Sequence, residues 1–193
     1  MHISDGIIDT NISIIANVAA VGLIYVTGKN VSSEEIPRVG MMGAALFVAS
    51  LLHFPLAGIS FHLGLFGLAG IILGKHAFPA VFAAILFQSL IFQHGGLLSV
   101  GINSINMGAG AFAAWRIWQL KIIPEYLRAA LAGLSGILIP VLLISVEFQL
   151  SGYGKGIYYL FSVYLIAAII EGVISLSAVR FFRLVKPDML ENR

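Results

Sequence analysis

The sequence predicts an all-α integral membrane bundle of about seven transmembrane helices, with its N-terminus outside and its C-terminus cytoplasmic. Three observations carry that expectation. First, 59% of the 193 residues are hydrophobic and only 10% are charged, against about 25% charged in a soluble domain. Second, apolar residues gather into seven segments, at 7–27, 39–54, 61–73, 78–92, 102–120, 127–148 and 157–181. Third, the charges sort by side. With the N-terminus outside, Lys29, Arg38, Lys75, Arg116, Lys121, Arg128, Arg180, Arg183, Lys186 and Arg193 fall inside, and only Lys155 falls outside. Positive charge marks the cytoplasmic face.

The segments follow in order. The first has no basic stretch before it, only Asp5 and Asp9, so it reads as a retained helix and not as a cleaved signal. The second carries Gly40, Gly43, Ala44, Ala45 and Ala49, small residues that permit close helix approach. It is the best candidate for a partner-facing surface. The third and fourth are short and separated only by residues 74–77. A short helix is accommodated by tilt or by burial in the bundle. The fifth begins beyond a turn marked by Gly95 and Gly96. The sixth ends near Glu147, and the seventh carries Glu171 in its middle, where a carboxylate is costly. The whole chain, 1–193, reads as one transmembrane domain.

With no cysteine, disulfides, thiolate metal sites and cysteine nucleophiles are excluded. The chain has no H-E-x-x-H, G-x-S-x-G or P-loop pattern. Ser60 precedes His62 by two residues, but no third residue completes a triad. Hydrolysis of ATP by this chain is excluded, and no enzyme template fits.

The polar residues that remain are mostly histidines. His2, His53, His62 and His94 fall at the outer side, and His76 at the inner one. His2 follows Met1, which is expected to be retained because the large second residue protects it from removal. The α-amine of Met1, the amide nitrogen of His2 and its Nδ1 can form fused five- and six-membered chelate rings. Such a nitrogen field suits nickel(II) or copper(II), and cobalt(II) under favourable geometry, over magnesium or calcium. His53 or His62 can supply a fourth nitrogen. Asn103 and Asn106 are three residues apart, on one helix face. Their amides can bond an inserted N-terminal loop, fix a ligand imidazole, or, for Asn103, cap the helix.

At this point several motifs resemble one family. Met1-His-Ile-Ser-Asp-Gly-Ile7, Gly58-Ile-Ser-Phe-His62-Leu, Phe92-Gln-His-Gly-Gly96 and Asn103-Ser-Ile-Asn-Met-Gly108 are similar to CbiM/NikM proteins. These are the substrate-binding S components of energy-coupling factor (ECF) transporters for cobalt and nickel. The resemblance covers residues 1 to about 120, and implies that residues 1–11 form a metal-binding loop inserted into the bundle from outside. It implies metal ligation by the Met1 amine, the His2 amide and imidazole, and His62. It further implies seven helices in the cytoplasmic (inner) membrane and three kinds of partner. Those are a T component like CbiQ/NikQ, ATPases like CbiO/NikO, and a small accessory subunit like CbiN/NikN on a separate chain. No catalytic cofactor is expected, and the bound Ni2+ or Co2+ is cargo.

Two departures stand out. His94 replaces the acidic residue of the family's F-G-D-G-G pattern, and Ile7-Ile8-Asp9 replaces its aromatic-Leu-Pro continuation. Two other functions compete with metal capture. One is an S component for an organic vitamin. The other is a membrane metalloenzyme using His53, His62 and His94. Accessory roles at the site are expected for His53, Ser60, His94, Asn103 and Asn106.

Overall fold

The computed structural model describes residues 2–56, 59–153 and 157–191. Its helices are α1 (Thr10–Gly28), α2 (Ile36–Ser50), α3 (Phe66–Leu73), α4 (Ala77–Phe92), α5 (Val100–Trp118), α6 (Glu125–Leu150) and α7 (Ile157–Val185). Between α2 and α3 lie strands β1 (His53–Leu56) and β2 (Ile59–His62). They pair antiparallel, with His53 opposite His62 and Phe54 opposite Phe61.

The all-α expectation is therefore corrected by one hairpin. Segment 39–54 ran too far, because α2 stops at Ser50. Segment 61–73 started too early, because only Phe66–Leu73 is helical. The cause is local. Pro55 has no N–H to give a helix and pushes the residue before it into extended backbone. The first helix likewise starts at Thr10 and not at 7. The Asp9 carboxylate caps it, accepting from the backbone N–H of Asn11 and Ile12.

Four helical runs are long and apolar enough to cross a membrane: Thr10–Gly28, Phe66–Phe92, Glu125–Leu150 and Leu160–Val185. The chain is a multi-pass membrane protein. The run Phe66–Phe92 is α3 and α4 joined by a 3-10 turn, Gly74–His76. Counted as one run, it reduces the seven expected segments to six among the described residues. A straight helix of its 27 residues would be about 40 Å long. Yet the rings of His62 and His94, just beyond its two ends, have centroids 5.3 Å apart. The run therefore folds back on itself at Gly74, whose φ of +58° suits glycine.

Burial sorts the helices. Every residue of α3 is buried. In α1 only Ser13 and Ala20 are buried, while Ile12, Ile15, Val18 and Val21 stand exposed, a surface suited to lipid. Residues of the small-side-chain stretch divide. Gly43 and Ala49 of α2 face inward, and Gly40, Ala44 and Ala45 are exposed. Glycines mark the tightest crossings. A Cβ at Gly67 would collide with the Ala132 carbonyl of α6, and one at Gly70 with the Ala111 carbonyl of α5. Gly67→Ala is expected to lower the melting temperature in detergent by several degrees. Gly22→Ala, on the open face of α1 with no atom within 4 Å of the new carbon, is expected to cause no loss.

Candidate metal centre

The residues before α1 are drawn into the bundle. Ile3 is fully buried and Ile8 nearly so, both within the main apolar core. A buried backbone needs partners for its N–H and C=O, and Asn103 of α5 supplies both. Its Oδ1 accepts from Ile3 N–H at 2.8 Å, and its Nδ2 donates to Ile3 C=O at 2.9 Å. Of the three roles open to Asn103, this is loop bonding, and neither helix capping nor a bond to a ligand imidazole. The Asp5 carboxylate accepts from Ser99 N–H at 2.8 Å and Leu98 N–H at 3.3 Å. These donors lie just ahead of α5, at the end where the helix dipole favours an anion. The turn at residues 95–96 leaves room for this approach. Gly95 and Gly96 have φ of +90° and +80°. A Cβ on Gly95 would lie 3.1 Å from His2 Cβ, and one on Gly96 would overlap the Asp5 carboxylate.

Four imidazoles meet where loop, hairpin and turn converge. His2 lies 4.5 Å from His94 and 5.1 Å from His62, between ring centroids. His53 lies 5.5 Å from His62 and 5.7 Å from His94. Among the described residues, His2, His62 and His94 form the one group whose potential ligand atoms all lie within 4.8 Å of one another. His53 is exposed at the rim. His76 stands apart, at the far end of α4, 3.8 Å from Glu35.

Hydrogen bonds fix which nitrogen carries each proton. His2 Nε2 contacts Gln88 Oε1 at 2.6 Å. An amide oxygen only accepts, so Nε2 donates and the lone pair sits on Nδ1. His62 Nδ1 donates to the Leu63 carbonyl at 3.2 Å, which puts the lone pair on Nε2. His53 Nδ1 donates to Leu51 C=O at 3.1 Å in the same way. This is the arrangement of metal-binding histidines, whose second nitrogen is held by a neighbouring acceptor. His94 differs: its Nε2 is buried and has no hydrogen-bond partner among the described residues.

The cluster is built to stay neutral. Burial holds the His2 imidazole well below its usual range, and pushes His62 down to about 2 and His94 to about 4. Neutral imidazoles keep their lone pairs for a metal.

Two carboxylates stand behind the site. Glu171 of α7 is fully buried. It accepts from Gly64 N–H at 2.6 Å and from Leu65 N–H at 3.0 Å. It thereby holds the turn that follows His62, where Leu65 takes the left-handed φ of +51°. Glu147 of α6 accepts from Asn106 Nδ2 at 2.8 Å, so Asn106 faces a carboxylate and not the loop. Met1 lies outside the described residues, as does the side chain of Ser60. Gln88 was not anticipated from the sequence, although a lone amide inside segment 78–92 was its signal. Val141, Ile144, Phe148 and Tyr164 line a cavity of about 220 Å³ beside His2 and His94.

Fold and site together define a multi-pass membrane protein with a nitrogen-rich pocket at one end of its bundle. The family described as the cobalt uptake substrate-specific transmembrane region, CbiM, matches residues 2–189. The chain belongs to that family. It is 30% identical over 162 residues to a fused nickel transport protein, NikMN, of Rhodobacter capsulatus, covering 77% of this chain and 47% of that one. It is 29% identical over 220 aligned positions to a Methanocorpusculum labreanum protein named as a fused cobalt transport protein, CbiMQ, covering 98% and 36%. The chain thus spans less than half the length of these two relatives. A crystal structure of a transition metal transporter superposes with a TM-score of 0.83 over 96% of this chain and 93% of that one. At 24% identity, this is a likeness of fold.

Two measurements follow from the geometry. The unfolded chain takes up histidine protons from about pH 6.5 downward, while the folded cluster resists them. The stability contributed by the cluster is therefore complete above about pH 6.5 and is lost as the pH drops toward 4, where His94 charges. Melting temperature of the metal-free protein in detergent should decline across that window. Removing the Glu171 carboxylate strands buried N–H groups, each at about 1–3 kcal/mol. Glu171→Ala should melt well below wild type, with Glu171→Gln intermediate.

Proposed function

We propose that this chain captures Ni2+ or Co2+ as the substrate-binding S component of an ECF-type uptake transporter. The metal is held by the Met1 α-amine, the His2 amide nitrogen, His2 Nδ1 and His62 Nε2. The observation that carries this reading is the bond from His2 Nε2 to Gln88, which makes Nε2 the donor and turns the Nδ1 lone pair toward the side on which the chelate would close. The set is all nitrogen. It favours late transition metals over magnesium or calcium, which prefer oxygen.

The same reading sets the topology. α3 and α4 are two legs, giving seven crossings with the N-terminus outside. Residues 1–11 enter the bundle from the outer side of the cytoplasmic membrane, and the chain is one domain. A relative fused as CbiMQ and one fused as NikMN support a Q-type T component and an N-type accessory subunit as partners. ATPases like CbiO/NikO supply the energy. The exposed Gly40, Ala44 and Ala45 face of α2 is the surface proposed for a membrane partner.

The test is metal titration of purified protein with a native N-terminus. One equivalent of nickel or cobalt should bind. His2→Ala, His62→Ala, and any extension or acetyl group before Met1 should each abolish high-affinity binding. Gln88→Leu, which frees the His2 ring without removing a ligand, should weaken it about 10–100-fold. Unchanged binding after N-terminal extension would sink the assignment. Binding of an organic vitamin without metal would favour the competing S-component reading.

A further inference from the structure

We infer that His94 Nε2 is a fifth metal ligand, apical to the plane formed by the His2 chelate and His62, and that it sets which metal the site prefers. This rests on the metal-capture reading above and adds a specificity residue to it.

Ring spacing is the first support. A metal about 2.1 Å from an imidazole nitrogen lies about 3.2 Å from that ring's centroid. Two imidazoles on one ion therefore have centroids about 4.5 Å apart when cis and about 6.4 Å apart when trans. The three separations here are 4.5 Å for His2–His94, 5.1 Å for His2–His62 and 5.3 Å for His62–His94. All three lie closer to cis than to trans. Three imidazoles in one square plane must include a trans pair, and none of these pairs is one. The rings instead occupy one face of a polyhedron. The His2 chelate and His62 define a plane, so His94 stands above it.

A second observation is independent of the spacing. His94 Nε2 is buried without a hydrogen-bond partner among the described residues, and its ring lines the cavity beside His2. A buried polar nitrogen left unsatisfied costs free energy. Coordination of the cargo satisfies it. The backbone is already fixed for this, with His94 N–H bonded to Gln88 C=O and His94 C=O accepting from Ser89 Oγ. The same Gln88 whose side chain orients His2 therefore positions His94 through its carbonyl.

The chemical consequence concerns selectivity. Four nitrogens in a plane give nickel(II) a low-spin, diamagnetic state and a large preference over cobalt(II). A fifth, apical nitrogen removes that advantage and gives a field that cobalt(II) accepts. Geometry of this kind, and not raw affinity, separates these metals.

The experiment uses the full chain with a native N-terminus, purified in detergent and loaded with nickel or cobalt. X-ray absorption of the nickel-loaded wild type should show three imidazoles, and magnetic susceptibility should show paramagnetic nickel. His94→Gln and His94→Asn should still bind one nickel. The adduct should turn diamagnetic, with two imidazoles, and the nickel-to-cobalt affinity ratio should rise roughly ten-fold or more. A wild-type adduct that is diamagnetic with two imidazoles overturns the role of His94 and leaves metal capture intact. A wild type that binds neither metal overturns both readings. The wild-type spectra need no variant to fold.

Discussion

The structure depends on bringing a stretch of irregular backbone into an apolar bundle without leaving its polar groups bare. Asn103 is the means. One side-chain amide matches both the N–H and the C=O of Ile3, as a neighbouring strand would. Each such bond adds about 1 kcal/mol, but each group left unmade would cost about 1–3 kcal/mol. The pairing therefore matters less for what it adds than for the penalty it removes. Once that penalty is gone, burial of Ile3 contributes about 1.5–3 kcal/mol. His2, one residue away, is thereby set against Gln88. Asp5, two residues on, closes the other side by accepting from the Leu98 and Ser99 N–H groups just ahead of α5.

Among the described residues, no charged side chain belongs to the central group. Among the described residues the central group consists of imidazoles only, His2, His62 and His94, and burial keeps them neutral. The carboxylates are used one layer further back. Glu171 holds the backbone after His62, and Glu147 accepts from Asn106. The division has a physical reason. A carboxylate in the central group would attract hard cations such as magnesium and calcium. Behind it, the same group anchors backbone without offering them a ligand.

Much of this was legible in the sequence, and the rest was hidden for identifiable reasons. The membrane class and the rough order of the helices, though not the bounds of the first three, followed from hydropathy, since repeated apolar runs of this length are rare outside a bilayer. The grouping of His2, His53, His62 and His94 at one end followed from counting crossings. The hairpin was hidden because the apolar residues of 54–61 run on from the helices beside them, with Pro55, Gly58 and Ser60 as the interruptions. The fold-back at Gly74 was half visible, since segments 61–73 and 78–92 were too short to be comfortable alone. Gln88 was not singled out in its helix, whereas Glu171 was visible as a carboxylate in an apolar one. Their partners, a histidine 86 positions away and a turn 106 positions away, are contacts that only the three-dimensional packing supplies.

The short third helix explains why the site lies where it does. Eight residues give α3 a length of about 12 Å, against a hydrocarbon core of about 30 Å. It cannot cross alone, and it is buried along its whole length by α4, α5, α6 and α7. The missing depth must be filled by something other than helix. Irregular backbone is tolerated at membrane depth only inside protein or along a cavity, and here the hairpin and the N-terminal loop fill it. Both carry histidines, and both are closed off by the glycine turn bearing His94. A longer α3 would carry helix into that space and displace the loop. The centre thus depends on a helix that begins late, and Glu171, holding the Gly64 and Leu65 N–H groups just ahead of α3, fixes where that helix begins.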